Sequence, residues 1–384
     1  MRLSRMPATL RSGEVFGPLC ATVLISVLSL AACSGGGAHP QPAESKEAAP
    51  VAITPVVITE QTAVDSDDPA IWINREDPAQ SLILGTDKGG SIFVFDLDGK
   101  IIPEKTVTGM GRMNNIDVAY GFPLGGETVD IAVATDRNEE KLRIFSLPDM
   151  TPIDNGGIPT FVGETDDRRA MGIAIYTRPS DGAFFAIVSR KFGPSGSYLW
   201  QYRLEDAGDG TVTATKVRAF GEFAGGKEIE AVAVDNELGY VYYSDETAGI
   251  HKYHADPDAP DADTELAFFG TEGFAGDQEG ISIYKIDDGT GYILVSDQQA
   301  NAFRIFKREG EPDDPNDHQL VKVVYVSTNE SDGSDVTSRV LDPRFPSGFF
   351  VAMSDNRTFQ YYSWDDIADG DLVKAPNGIP STTN

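Results

Sequence analysis

The sequence has only two cysteines and four histidines, and these shortages exclude several kinds of catalytic site. Both cysteines, Cys20 and Cys33, lie in an N-terminal leader, so the mature chain can form no internal disulfide and has no cysteine nucleophile in its folded part. None of the histidines lies in an Arg-His-Gly phosphohistidine motif. Histidine-rich dinuclear metal sites lack their ligands as well. Of the usual routes to hydrolysis of a phosphate ester, metal-activated water is the one that remains.

Basic residues are also scarce, because 31 lysines and arginines stand against 60 aspartates and glutamates, a formal net charge of −29. A nucleic-acid-binding protein needs clustered bases that displace counterions from phosphate, so this balance argues against a nucleic-acid partner. Such acidity either keeps an exported protein soluble or is neutralised by bound cations.

Residues 1–33 are predicted to be an export signal. Three arginines precede the apolar run CATVLISVLSLAAC, a pattern typical of a signal peptide and not of a membrane span. The run ends in Leu-Ala-Ala-Cys, which resembles a bacterial lipobox, so we expect Cys33 to be lipidated and to become the N-terminus. The alternative is an ordinary signal peptide that is cut after a small residue. Ser34 favours an outer-membrane location, and a periplasmic or released form is the other expectation.

A triplet of short apolar runs recurs six times after residue 51. The leading runs begin near residues 68, 115, 172, 230, 279 and 335. Weaker fourth strands follow most triplets, and units of four short antiparallel strands at this spacing are typical of a propeller. The sequence therefore predicts an all-β, six-bladed β-propeller; a β-sandwich, the rival fold, would not show six similar triplets.

The predicted domain organisation follows from this repeat. Residues 34–50 are a polar, flexible linker, 51–370 form the propeller, and 371–384 are a C-terminal tail. The segment VAITPVVITE (51–60) precedes the first unit, and we expect it to supply the outer strand of the last blade and close the ring. We expect a monomer that contacts a membrane only through its lipid anchor.

Most polar residues of interest fall on one face of this propeller. The first strand of each blade lines the channel and the second runs antiparallel to it, so the start of one and the end of the other share a face. Acids occupy these positions on five of the six blades, as in Asp277 and Glu279 of AGDQEGISIY. Their mutual repulsion would raise their pKa values unless cations neutralise them, and hard oxygen ligands suit Ca²⁺. Any single acid is also compatible with an ordinary turn.

Bases accompany the acids at the ends of second strands on three neighbouring blades. They are Lys88, Arg137, Arg190 and Lys191. Cations that face a calcium-filled acidic mouth would suit a polyanionic substrate, above all phosphate. The alternative is that these bases only balance nearby acids.

At this point the chain resembles the β-propeller phytases, calcium-dependent enzymes that remove phosphate from myo-inositol hexakisphosphate (phytate). The resemblance covers about residues 60–370 and rests on six motifs in order. They are DDPAIWIN (67–74), NNIDVAYGFPL (114–124), IEAVAVDNELGYVYYSDE (229–246), DQEGISIY (277–284), GYILVSDQ (291–298) and SDGSDVT (331–337). The family fold is a six-bladed propeller, in agreement with the repeat count.

The resemblance implies a role for each site residue. The acids expected to bridge the catalytic calcium ions and their water are Glu230, Glu246, Asp277, Glu279 and Asp335. The expected further metal ligands are Asp68, Asn115 and Ile116, with Asp332 and Asp355 at a more structural ion. The bases expected to hold substrate phosphates are Lys88, Arg137 and Lys191, with Gln298 beside them.

Three positions depart from the family pattern. Met171 stands where a tyrosine usually precedes glycine, and Phe192 follows Lys191 where an acid is usual. The segment MSDN (353–356) replaces the common Gln-Asp-Gly. These departures bear on calcium stoichiometry and catalytic efficiency, and not on the fold.

Two other classes of function remain open from the sequence. A calcium-dependent lactonase-type propeller hydrolase would use the acids but needs no set of bases. A non-catalytic envelope propeller would bind calcium for stability alone. Calcium-dependent release of phosphate from phytate and other inositol polyphosphates separates the three.

Overall fold

The computed structural model describes residues 50–165 and 167–376. The predicted leader, the lipidation site Cys33, the linker up to residue 49 and residues 377–384 of the tail lie outside the described residues. Within the described part, no helix is long and apolar enough to cross a membrane.

The strands form six antiparallel sheets in chain order. Blade 1 contains β2 (Ser66–Trp72), β3 (Leu82–Asp87) and β4 (Ser91–Phe95). Blade 2 contains β5 (Met113–Leu124), β6 (Glu127–Asp136), β7 (Lys141–Leu147), β8 (Thr151–Pro152) and β9 (Ile158–Pro159). Blade 3 contains β10 (Ala170–Thr177), β11 (Phe184–Arg190), β12 (Leu199–Asp206) and β13 (Val212–Phe220).

The second half of the chain repeats this plan. Blade 4 contains β14 (Val232–Asp235), β15 (Tyr240–Asp245), β16 (Gly249–His254) and β17 (Ala267–Phe269). Blade 5 contains β18 (Gln278–Lys285), β19 (Gly291–Asp297), β20 (Ala302–Lys307) and β21 (Leu320–Tyr325). Blade 6 contains β22 (Ser334–Thr337), β23 (Phe349–Ser354), β24 (Thr358–Ser363) and, from the start of the chain, β1 (Val57–Ile58). The one described α-helix, α1 (Trp364–Ala368), follows.

The blades close into a ring, which confirms the predicted all-β, six-bladed β-propeller. The innermost strands contact one another in circular order, β2, β5, β10, β14, β18 and β22, and β22 contacts β2 again. The expected closing strand is confirmed as well, because Val57 pairs with Tyr361 and Ile58 with Gln360 of β24. Residues from the two ends of the domain therefore share one sheet, as in other closed propellers.

The core lies between blades, because each sheet is covered on both faces by its neighbours. The second strands β3, β11, β19 and β23 are buried along their whole length. Their near-continuous apolar sequences fit a strand that has no solvent-facing side. Phe122 of blade 2 and Phe184 of blade 3 meet edge to face with centroids 5.1 Å apart.

A side-chain hydroxyl links each of five blades to the next. Thr135 accepts the Asn115 N–H of its own blade at 3.1 Å and donates to the Met171 carbonyl of the next blade at 2.6 Å. The five hydroxyls that donate in this way belong to Thr86, Thr135, Ser189, Ser244 and Ser296. In blade 6 Met353 takes this position, and Ser66 of blade 1 instead donates to the Ser354 carbonyl at 3.0 Å.

Glycines permit the innermost strands to approach closely at equivalent positions of three blades. A Cβ on Gly172 would overlap the Glu230 carbonyl oxygen of the next blade. A Cβ on Gly280 would lie 2.9 Å from the Gly333 Cα, and one on Gly333 would overlap the Asp68 carboxylate. The inner ring therefore leaves no space for a side chain at these positions.

Gly172→Ala is expected to destabilise the propeller by roughly 1–3 kcal/mol, as other overpacking substitutions do, because the added methyl group meets backbone and not a movable side chain. Gly289→Ala is the matched control, since its nearest neighbour, Asp287 Oδ1, lies 3.7 Å from the added Cβ. Thermal unfolding of the two variants measures the difference. Equal melting temperatures would contradict the proposed close packing.

Candidate functional site

Six equivalent residues surround one mouth of the channel. Each follows the second strand of its blade, and its N–H donates to a carbonyl of the loop that leads into the first strand, at 2.8 to 3.2 Å. We call these residues the exit ring: Lys88, Arg137, Lys191, Glu246, Gln298 and Asp355. Blades 1 to 3 contribute the three bases, and blades 4 to 6 contribute two acids and an amide.

A second set of six lies at the start of the first strands. In blade 1 Ser66 pairs with Asp87 and Pro69 with Gly85, so Asp67 and Asp68 together face one residue of β3. Equivalent register shifts occur in blades 2, 3 and 5. Such bulges re-aim side chains out of the regular alternation. We call the residues equivalent to Asp67 the bulge ring: Asp67, Asn114, Met171, Glu230, Glu279 and Asp332.

Arg190 belongs to neither ring, and the structure corrects its predicted place among the phosphate-binding bases. It is the last residue of β11, where blades 1, 2, 4 and 5 have an aspartate that holds the entering loop; Asp245 Oδ2, for example, accepts the Ala224 N–H at 2.6 Å. Arg190 is fully buried, and it donates to Glu164 and to the Ser197 carbonyl at 3.1 Å each. Arg190 therefore holds the loops that contain Glu164 and Ser197 through buried hydrogen bonds, and it does not face the mouth.

Four of the five predicted catalytic acids meet on blades 4 and 5. Carboxylate oxygens of Glu246, Asp277 and Glu279 lie within 4.8 Å of one another, and so do those of Glu228, Glu230 and Glu246. Glu246 belongs to both groups and is 2 % exposed. We call these residues the acid cluster: Glu228, Glu230, Glu246, Asp277 and Glu279.

Burial and mutual repulsion disfavour the charged form of these acids. Burial first, and then the charge on Glu230, raise the pKa of Glu246 to about 9. Burial, with Glu230 and Glu246 as the largest like charges, raises the pKa of Glu279 well above its ordinary value. Glu246 Oε1 and Glu279 Oε2 have no hydrogen-bond partner. Buried carboxylates of this kind are stable only when they are protonated or when they face a cation.

The cluster fits a hard divalent cation. All of its ligand atoms are carboxylate oxygens, which calcium and magnesium prefer and which several softer metals do not. The half-exposed Lys227 supplies a positive charge there, with its Nζ 2.5 Å from Asp277 and 3.8 Å from Glu246. A cation is therefore electrostatically favoured at the position where these carboxylates converge.

The structure does not bring Asp335 to this cluster. Asp335 lies in β22, where its two oxygens accept the Ile71 and Val336 N–H groups at 2.8 and 2.7 Å. Burial, with Asp117 as the nearest like charge, raises the pKa of Asp335 to about 7. Asp335, Asp68 and Asp117 line the channel, a cavity of about 310 Å³, below the mouth. Its predicted role as a bridging catalytic acid is therefore corrected to that of a channel residue.

The predicted metal ligands Asp68, Asn115 and Ile116 do lie together. The Ile116 N–H donates to Asp68 Oδ2 at 3.0 Å, and Asn115 Oδ1 accepts from Asn114 at 2.9 Å. Asp332 and Asp355 share no partner in the described residues. Asp332 accepts from Gln298 at 2.6 Å and from Lys88, whereas Asp355 accepts from Asn329 at 2.8 Å.

The three bases of the exit ring are each directed at acids or amides of the mouth. Lys88 Nζ lies 2.8 Å from Asp332, and although burial opposes its charge, the carboxylates of Asp67 and Asp332 raise the pKa of Lys88. Arg137 is 8 % exposed, and burial together with Arg112 lowers its pKa. Lys191 pairs with Glu228. The mouth therefore combines fixed positive charge on blades 1 to 3 with the acid cluster on blades 4 and 5.

Sequence reasoning assigned no role to several residues of the mouth. They are Asp67, Asn114, Lys227 and Glu228. Asp67 is 1 % exposed with an unpartnered Oδ2, and burial raises its pKa well above the ordinary value. Alignment of the six blades at the bulge would have indicated Asp67 and Asn114, because they are equivalent to Glu230 and Glu279.

Two departures from the family pattern differ in their surroundings. Met171 is fully buried at the bulge-ring position of blade 3, so this blade contributes no polar side chain to that ring. Phe192 is 49 % exposed, and its ring centroid lies 5.9 Å from Lys191 Nζ.

Comparison with solved structures adds little to this description. The chain is similar to the computationally designed Ika8 protein, at 10 % identity and a TM-score of 0.41, over 80 % of this chain and 99 % of that one. A structural similarity this low supports no inference about the function of this chain.

Comparison with known sequences is informative. The family model described as Phytase matches residues 18–377. The chain is also 31 % identical over 316 residues to a 3-phytase of Bacillus subtilis (strain 168), covering 79 % of this chain and 80 % of that protein. The expected resemblance is confirmed, and the chain belongs to the phytase family of phosphate-releasing enzymes.

Proposed function

We propose that the protein is a calcium-dependent phytase that hydrolyses phosphate monoesters of inositol polyphosphates at the exit-ring mouth. One observation carries the proposal: the bases Lys88, Arg137 and Lys191 face the same mouth as a buried acid cluster with unpartnered oxygens. A metal-stabilised fold needs the acids but not the bases. A polyanionic substrate requires both.

The residues proposed to hold calcium are Glu230, Glu246, Asp277 and Glu279 of the acid cluster. Glu246 contributes to both groups of three, so its carboxylate would be within reach of a cation held by either group. When bound, calcium would supply positive charge and lower the pKa of an attacking water. Glu230, Glu246 and Glu279 would then be held as carboxylates, and the repulsion that raises their pKa values would be neutralised.

The exit-ring bases are proposed to bind substrate phosphate. They lie on adjacent blades, so a substrate that carries several phosphates can contact two bases while another phosphate faces the acid cluster. Arg137 offers a planar guanidinium for two-point contact with phosphate, whereas Lys88 and Lys191 act as point charges. Positioning and charge neutralisation are the main contributions that phosphoryl transfer requires from a protein.

The proposal extends to cellular location. The leader 1–33 and its lipobox-like end support export and lipidation of Cys33, which would tether a monomeric propeller at the outer membrane or leave it periplasmic. The decisive experiment on function is release of phosphate from phytate with and without Ca²⁺. A lactonase-type or non-catalytic propeller would release none in either condition.

Stability of the metal-free protein is expected to fall as pH rises from 5 to 8. The fold raises the pKa of Glu246 from 4.5 to about 9, so it favours the protonated acid. Its stabilising contribution is full below pH 4.5 and is lost as pH rises toward 9. Saturating calcium should raise the melting temperature and abolish this trend, since the ion binds only the folded state. Melting curves in chelator that are flat with pH would contradict this prediction.

Glu279→Gln is expected mainly to lower kcat, because it removes one charge that holds the catalytic cation and leaves the phosphate-binding bases in place. Arg137→Ala should lower kcat/KM by roughly 10²-fold, as does loss of an oriented contact to a developing charge. Lys100→Ala is the control, since Lys100 is exposed and pairs with Glu60 away from both rings. Steady-state kinetics on phytate measures all three. Parental kinetics in the first two variants would place the active site elsewhere.

A further inference from the structure

Glu228 is the one acid of the cluster that pairs with an exit-ring base within the described residues. Its carboxylate forms an ion pair with Lys191 Nζ, and both side chains are mostly buried, at 16 % and 20 % exposed. A carboxylate oxygen of Glu228 also lies within 4.8 Å of those of Glu230 and Glu246. The residue therefore stands between a proposed phosphate-binding base and a proposed metal position.

The position beside Glu228 also contains an unsatisfied ligand atom. Glu246 is 2 % exposed, and its Oε1 has no hydrogen-bond partner. The Glu246 N–H donates to the Glu228 carbonyl at 3.1 Å, which fixes the two residues side by side at the mouth. A divalent cation bound by Glu246 and Glu230 would therefore meet Glu228 without any change in the backbone.

The two partners of Glu228 exclude each other to a large extent. At the same distance, a divalent ion attracts a carboxylate more strongly than a singly charged lysine does. The ion also repels the lysine, so a carboxylate that turns to the ion loses most of its attraction to the lysine. Lys191 in turn cannot give its full charge to a substrate phosphate while Glu228 neutralises it. Removal of Glu228 from Lys191 would therefore leave the base available at the moment when the metal site is filled.

We propose that Glu228 is an exchangeable carboxylate that pairs with Lys191 in the metal-free protein and becomes a ligand when calcium binds. This inference rests on the proposed function. It makes Glu228 a further metal ligand and makes calcium binding a precondition for full phosphate binding by Lys191. Substrate then binds after the cation, because the base that receives its phosphate is released by the cation.

A double-mutant cycle tests the exchange. Glu228→Gln, Lys191→Met and the double variant are melted in chelator and in saturating Ca²⁺. In chelator the pair should show a coupling equivalent to about 1–3 °C in melting temperature, as expected for an ordinary ion pair in a domain of this size. In Ca²⁺ the coupling should vanish. The control pair is Lys307 and Glu311, 2.7 Å apart and outside both rings, whose coupling should be the same in both conditions.

Calcium titration by calorimetry tests the ligand role independently of activity. Glu228→Gln should weaken calcium binding by about 10-fold, since affinity follows the charge count of the ligands. Glu330→Gln is the matched control; it removes the same charge from the corresponding loop of blade 6, where Glu330 is exposed and has no ion pair within the described residues. This control should bind calcium like the parent.

The outcomes separate this inference from the proposed function. A parent protein that binds no calcium overturns the proposed function and this inference with it. A parent that binds calcium, with unchanged affinity in Glu228→Gln, overturns the ligand role of Glu228 alone. A Glu228–Lys191 coupling that persists in saturating calcium overturns the exchange, because the pair would then be a permanent ion pair.

Discussion

The burial of several carboxylates around Glu246 is the constraint on which the rest of the site depends. A carboxylate in this position loses solvation and repels its neighbours, so it requires either a proton or a cation. The propeller tolerates the unfavourable free energy of burying these carboxylates because its large inter-blade core and closed ring stabilise the fold elsewhere. The same cost favours a divalent ion at the mouth, so the proposed binding of metal, the stability of the domain and the charge that would face a substrate all depend on one cluster.

Equivalent backbone positions with different side chains generate the chemistry of the mouth. The exit ring has the same N–H to carbonyl hydrogen bond on all six blades, yet its residues change from bases on blades 1 to 3 to Glu246, Gln298 and Asp355 on blades 4 to 6. The scaffold therefore fixes six directions around one opening. Substitution at each position then separates a basic side, proposed to bind phosphate, from an acidic side, proposed to bind metal, with Glu228 and Lys191 in contact at the border between blades 3 and 4.

Much of the fold and the functional face could be predicted from the repeat, because first-strand starts and second-strand ends must share one face in antiparallel blades. It was harder to predict which side chains reach the mouth and which of their neighbours in sequence do not. Arg190 and Lys191 are adjacent in sequence, but Arg190 is fully buried and pairs with Glu164, whereas Lys191 lies at the mouth. Asp332 and Asp335 diverge in the same way, since the first contacts Lys88 and the second holds the backbone of the next blade.

The sequence by itself determined the number of blades, the face that carries the acids and bases, the closing strand and the family, because strand periodicity and motif order are local properties. Only the tertiary structure decided which acids converge. Glu228, Glu246 and Asp277 come from three separate loops of two blades, and no spacing in the chain sets the distances among their carboxylates. The bulge that turns Asp67 and Glu279 toward the mouth is likewise a register shift between paired strands, so it exists only once both strands are in place.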